Sequence, residues 1–340
     1  MIDLLLELCL RDMPETCARH LLPGACVEAR ARAWAAAHPA AVPRGWSCAD
    51  PATAVAPLAV TEVAPGVFVH RGRDEMPSPE NAGDEANIGF VIGRDAVAVI
   101  DAGGSRGVAE ALYAAIRART ELPIGWVILT HMHPDHVIGA ALFREAGAKV
   151  VGHARLPDAL LNRSETYSEA LVRQIGPLAA LGGDIVLPDE TVADRREIDL
   201  GGRVLLLEAH PTAHTDNDLT VLDTDTGTWW MGDLVFQHHA PSVDGSALGW
   251  IALLDALAAR PAARIVPGHG APSLPWPEGA AATRDYLAGL VGETRAALAR
   301  GESLTEAAPR IGQDLRGDWV LFDEFNTRNA TAVYRELEWE

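Results

Sequence analysis

The rhythm of apolar and polar positions changes along the chain. Over the first forty or so residues, short apolar runs are broken by Pro and Gly, and the stretch LLPGACVEARARAWAAAHP predicts a helix. Residues 39–58, PAAVPRGWSCADPATAVAPL, hold four prolines and read as a linker or extended arm. From Val60 the texture becomes β-rich: VTEVAPGVFVHRG and NIGFVIGRDAVAVIDAGG are strand runs separated by turn residues. SRGVAEALYAAIRART then has apolar residues at helical spacing behind Ser105 as N-cap, and IGWVILT reads as a buried strand. The second half repeats the style. RVLLLEAH, DLTVLDT, GTWWMGD and ARIVPGHG predict strands, while ALGWIALLDALAAR and AATRDYLAGLVGETRAALARG predict helices. Strands and helices alternating in both halves imply two sheets sandwiched between helices. After Gly301 the chain reads as helical or irregular.

The expected organisation is therefore a helical, Cys-bearing extension with its Pro-rich linker over 1–58, a catalytic domain over 59–301 and a helical tail over 302–340. No run of 18 uninterrupted apolar residues appears, so no membrane-spanning helix is expected. The net charge of −19 repels polyanions, and no basic patch offsets it, which argues against a nucleic-acid partner. A small-molecule substrate is the expected partner, and the pattern carries no sign of an oligomeric state. Cys9, Cys17, Cys26 and Cys48 are the only cysteines, which reads as two disulfides and an oxidising compartment such as the periplasm. Three pairings fit equally. The first ten residues, MIDLLLELCL, carry Asp3 and Glu7 and lack a basic start, so they do not read as a secretory signal.

The chemistry concentrates in ILTHMHPDHVIGA, where His131, His133, Asp135 and His136 follow a buried strand. Alternate residues of an extended segment share a face, so His131 and His133 converge on one point. Asp135 and His136 open the next helix and turn toward a neighbouring one. Two metal ions need more donors than this segment offers, and His214, Asp233 and His269 each sit at the end of a predicted strand. Other histidines read differently. His70 and His153 lie in strand-like runs as structural residues, and His238 and His239 lie on a loop near the cleft. Asp216, Asn217 and Asp218 read as support for the loop around His214.

With VIDAGG around Asp101, THMHPDH, AHT, GD and PGHG in this order, the chain resembles the metallo-β-lactamase fold superfamily over roughly residues 60–275. The stretches EVAPGVFVHRGRDEMPSPENAGDEANIGFVIGRDAVAVIDAGGS and PTAHTDNDLTVLD, with the Cys-bearing extension, are similar to the SoxH-related quinoprotein relay system zinc metallohydrolases. The resemblance implies a mixed α/β (α+β) fold, a four-layer αββα sandwich, with two Zn2+ ions per chain in a cleft at the sheet edges. Carried over, His131, His133 and His214 hold the first zinc; Asp135, His136 and His269 hold the second; Asp233 bridges them; and Asp101 orients a ligand. The GD pattern is closer to thioesterase-type and glyoxalase II-like hydrolases than to true β-lactamases. The implied activity is hydrolysis of a small ester, thioester or lactone-like substrate by a metal-bridging hydroxide, with Asp135 as the catalytic proton acceptor and a link to periplasmic quinoprotein oxidation. The alternatives are a β-lactam hydrolase, a non-catalytic binding module, and a persulfide dioxygenase holding one Fe2+ on two histidines and an aspartate. Specificity is expected from loops at 72–86, 155–183 and 237–248.

Overall fold

The computed structural model describes residues 2–317 and 319–340. Chain order runs β1 (Asp3–Leu10), β2 (Cys17–Leu22), α1 (Glu28–Ala37), β3 (Ala41–Ala49), α2 (Pro51–Ala54), β4 (Thr61–Ala64), β5 (Val67–His70), β6 (Ile88–Ile92) and β7 (Val97–Ile100). It continues through α3 (Arg106–Arg117), β8 (Ile124–Ile128), α4 (Pro134–Val137), α5 (Ala140–Glu145), β9 (Lys149–His153), α6 (Leu156–Ile175), β10 (Glu190–Val192) and β11 (Arg195–Asp199). The remainder is β12 (Val204–Ala209), β13 (Leu219–Asp223), β14 (Thr228–Phe236), α7 (Ala247–Ala258), β15 (Arg264–His269), α8 (Ala281–Ala299), α9 (Leu304–Ala307) and α10 (Phe322–Leu337).

The period-two alternation of the strands decides the layers. A seven-stranded sheet, β10-β9-β8-β7-β6-β5-β4, faces a five-stranded sheet, β11-β12-β13-β14-β15. Ala98, Ile100 and Ile128 of the first meet Leu205, Leu207, Val221 and Trp230 of the second in a closed apolar layer. The alternate residues Val97, Val99 and Val127 turn outward against Leu112 and Ile116 of α3. On the far side Trp229 and Met231 pack against α7, α8 and α10 through Trp250, Leu287 and Val333. This is the αββα arrangement. Ser105 caps α3 as expected, its hydroxyl accepting from the Val108 N–H.

The N-terminal extension departs from the helical expectation. Its one long helix, α1, lies where the sequence places it, but it packs on a three-stranded antiparallel sheet, β2-β1-β3. Leu4, Leu6 and Leu8 alternate along β1 and close a small core with Trp34 and Leu181. The apolar start is a buried strand, and half of the expected linker is its neighbour β3, where Pro43 is tolerated because the strand is an edge. Disulfides Cys9–Cys17 and Cys26–Cys48 select one of the three pairings. The expected loop 155–183 is mostly α6, a helix of 20 residues. Among the described residues no helix is long and apolar enough to cross a membrane.

Candidate metal centre

β8 delivers the first cluster. The chain leaves the strand at Leu129, passes His131 and reaches His133, which precedes Pro134 at the start of α4; Asp135 and His136 lie on that short helix. His214 comes from the β12–β13 loop and His269 is the last residue of β15. Asp233 does not end a strand as expected. It lies within β14, at a break in the register with β15 that Gly232 makes with φ +51°. Gly268 completes the approach, since a Cβ there would stand 1.9 Å from Asp233 Oδ1.

All seven side chains meet in one cleft, in two groups: His131, His133, His214 and Asp233, and Asp135, His136 and His269, the donor atoms within each lying within 4.8 Å of one another. In the first group the outer ring nitrogens are all tied. His214 Nδ1 donates to the Ser242 carbonyl at 2.7 Å and His133 Nε2 to Asp244 Oδ2 at 2.8 Å. His131 Nδ1 donates to Thr130 Oγ1 at 3.0 Å, a hydroxyl that donates onward to Asp101 Oδ2 at 2.8 Å. Neutral rings with those tautomers turn lone pairs inward, and the inner nitrogens stand only 3.0 Å (His214–His133) and 3.1 Å (His131–His133) apart. Facing lone pairs repel unless a cation lies among them. Burial pushes the His214 pKa down to about 3 and lowers that of His131 well below its usual value, which keeps both rings in the ligating form.

The second group is tied in the same way. His136 Nδ1 donates to Asp101 Oδ2 at 2.8 Å and His269 Nδ1 to the Glu85 carbonyl at 3.1 Å. Asp101 holds a left-handed backbone, φ +55°, while it also accepts from the Thr130 N–H at 2.8 Å. Asp233 spans both groups. Its Oδ1 is 3.1 Å from His136 Nε2 and 3.5 Å from His269 Nε2, whereas its Oδ2 is 3.4 Å from His214 Nε2 and 3.7 Å from His131 Nε2. Among the described residues, both His136 Nε2 and Asp233 Oδ1 are buried without a hydrogen-bond partner. Burial opposes charging the His136 and His269 rings, but Asp135 and Asp233 outweigh it, raising His136 well above its usual range and His269 to about 10. The carboxylates thus call for positive charge at this point. Convergent lone pairs, orphaned inner atoms and anchored outer atoms fit metal ions.

Several cleft residues went unnamed in the sequence reading. Asp244, Ser242 and the Glu85 carbonyl hold the outer faces of the histidines, and only sequence distance concealed them. Burial and the charge of Asp135 push the Glu85 carboxyl up to about 8, and among the described residues its Oε1 has no partner. Tyr167, Leu171 and Ile175 of α6 and Phe325 and Arg328 of α10 complete a cavity of about 270 Å³. Of the loop histidines, His239 lines the cleft and stacks on His269 with ring centroids 4.6 Å apart, while His238 is exposed. His70 and His153 are structural: His70 is bound to Asp84 and Ala59, and His153 accepts from the Arg155 N–H. Asp218 steadies the His214 loop by accepting from the Thr215 N–H and hydroxyl.

Fold and site together define a metal-dependent hydrolase. The family model "Metallo-beta-lactamase superfamily" matches residues 82–269, more than half of the chain, and the chain belongs to that superfamily. Among solved structures, a metallo-beta-lactamase from Pontibacter korlensis is 21% identical over 68% of this chain and 99% of its own, with a TM-score of 0.54. The inverting sec-alkylsulfatase Pisa1 from Pseudomonas sp. is 18% identical, with a TM-score of 0.64, over 82% of this chain and 50% of its own. The structure of TMB-1 is 18% identical over 69% of this chain and 98% of its own, with a TM-score of 0.54. These likenesses concern the fold. No curated protein matches the chain in sequence.

Proposed function

We propose that the chain is a dinuclear zinc hydrolase acting on a small ester, thioester or lactone-like substrate. His131, His133 and His214 would hold one ion, Asp135, His136 and His269 the other, with Asp233 between them. The observation that carries this reading is the split of Asp233, one oxygen turned to each group of histidines. Zinc bound there supplies Lewis acidity and lowers the pKa of water from about 15.7 to about 7. The protein's own part follows from burial. Asp233 is 4% exposed and committed to four imidazoles, whereas Asp135 is 17% exposed at the cleft floor. Asp135 accordingly takes the proton of the attacking water and orients its lone pair toward the substrate carbonyl. Asp101 and Asp244 keep the His136 and His133 tautomers fixed, and the apolar walls from α6 and α10 limit bulk water.

The test is metal content together with a substrate panel. Purified full-length protein should carry about two zinc ions per chain and hydrolyse members of a panel of esters, thioesters and lactones; β-lactams and alkyl sulfates belong in the panel because of the structural neighbours. One iron per chain with persulfide oxygenation and no hydrolysis would overturn the reading in favour of a dioxygenase.

A further inference from the structure

The α10 helix lies beyond the family-matched residues, yet it supplies part of the cleft. Half-buried Phe325 and exposed Arg328 stand three residues apart on α10 and line the rim of the cavity with Tyr167 and Leu171 of α6. Arg328 donates from Nη2 to Asp244 Oδ1, and among the described residues its Nε and Nη1 have no partner. Asp244 is shared, because its other oxygen accepts from His133 at 2.8 Å. The Tyr167 hydroxyl also has no hydrogen-bond partner among the described residues, and its electrostatic neighbours are Arg163, Asp244, Asp135 and Arg328. Burial raises its pKa, so the phenol remains a donor at neutral pH.

Two unspent donors at the edge of an apolar cavity define what fits between them. Arg328 offers a planar, permanently charged fork that only donates, and Tyr167 offers one O–H beside it. The carboxylates Asp135 and Asp233 are turned to the histidines and do not serve them. Met76, Leu171, Ile175 and Phe325 belong to the apolar part of the lining. We propose that Arg328 and Tyr167 receive a carboxylate at the far end of the substrate's apolar body, so that the substrates are small esters or thioesters of dicarboxylic acids with one acid group free. This deepens, and rests on, the hydrolase reading above. Hydrolysis of such a half-ester by water gives the diacid and an alcohol or thiol, with no further reactant.

The experiment uses the zinc-loaded full chain as wild type, Arg328→Met and Tyr167→Phe. p-Nitrophenyl half-esters of glutaric and adipic acid are compared with p-nitrophenyl pentanoate and hexanoate. Wild type should favour a charged ester over its neutral counterpart at least tenfold in kcat/KM, through KM. Arg328→Met should bring that ratio near one and Tyr167→Phe should lower it, with zinc content retained. A ratio near one in wild type overturns the proposal. So does a ratio that survives in Arg328→Met, the pattern expected if Arg328 only steadies Asp244. A binding arm separates this from the parent reading: adipate should bind wild type at least tenfold tighter than hexanoate by calorimetry, and Arg328→Met should erase the difference. If no ester is cleaved but that difference is found, the ester-hydrolase reading fails and the carboxylate subsite stands. If adipate binds no tighter than hexanoate, the subsite fails whatever the turnover.

Discussion

Asp135 and Gly268 show how unevenly single residues weigh in this site. In the proposed reaction Asp135 supplies charge and a proton-accepting oxygen, so Asp135→Ala should reduce turnover by at least about 10²-fold, the usual scale for general base catalysis. It should also lower occupancy of the second metal, readable by metal analysis; near-normal rates with full occupancy would sink its assigned role. Gly268 contributes only the absence of a side chain. A methyl there would collide with Asp233 Oδ1 at 1.9 Å and with the Asp233 backbone nitrogen at 2.9 Å. Gly268→Ala should therefore destabilise the fold by about 1–3 kcal/mol, as overpacking does, and shed metal. Gly45→Ala is the control, since its added Cβ meets nothing within 4 Å. Equal melting temperatures for the two variants would contradict the argument. The chemical residues were readable because imidazole and carboxylate at strand ends have few other uses. Gly268 was only a neighbour of His269 until Asp233 was brought against it.

At the scale of elements, periodicity located most strands and helices that carry the site, and α3 even kept its expected cap. It failed where packing rather than pattern defines an element. The cleft wall α6 has apolar residues buried only toward its two ends, with exposed or half-buried residues between them, so its sequence resembles a polar loop. The segment between β5 and β6 is held by a pair that pattern does not announce: His70 Nε2 to Asp84 Oδ1 at 2.7 Å. Burial by itself would lower the His70 pKa, but the hydrogen bond and charge of Asp84 raise it above 6.5. A raised histidine stabilises the fold fully below its unfolded value and loses that contribution as pH rises through the folded value. The stability difference between wild type and Asp84→Asn should therefore shrink from pH 6 to pH 8.5 in urea unfolding. A difference that grew with pH would show the sign to be wrong.

Over the whole molecule, the N-terminal sheet is tied to the catalytic layers by one buried cation. Arg106, with its side chain 1% exposed, donates to Glu110 at 2.9 Å, to Glu145 at 2.8 Å and to the Leu21 carbonyl at 2.8 Å. His20 of β2 and Trp34 of α1 meet the same carboxylates at 3.1 and 3.3 Å, and Asp3 accepts from the Tyr113 hydroxyl at 2.8 Å. The disulfides restrict the unfolded ensemble of that sheet through sequence separations of 8 and 22 residues. Loop-closure entropy assigns them about 2.5 and about 3.4 kcal/mol respectively. Reduction should lower the urea midpoint measurably, with loss of the sheet first by hydrogen exchange; unchanged midpoints with fully reduced thiols would refute this.

The sequence by itself determined which side chains offer metal-binding donors, that most of them gather near strand ends, and that strands and helices alternate into a layered sandwich. These are local properties, carried by residue type and by periods of two and 3.6. Tertiary structure alone decided that one oxygen of Asp233 faces each group of histidines, that Asp244 and Ser242 fix tautomers from more than twenty-five residues away, and that Arg328 of the last helix stands in the cleft. The physical reason is that such relations depend on where separate elements pack, and a hydrogen bond across 111 positions leaves no periodic trace in the chain.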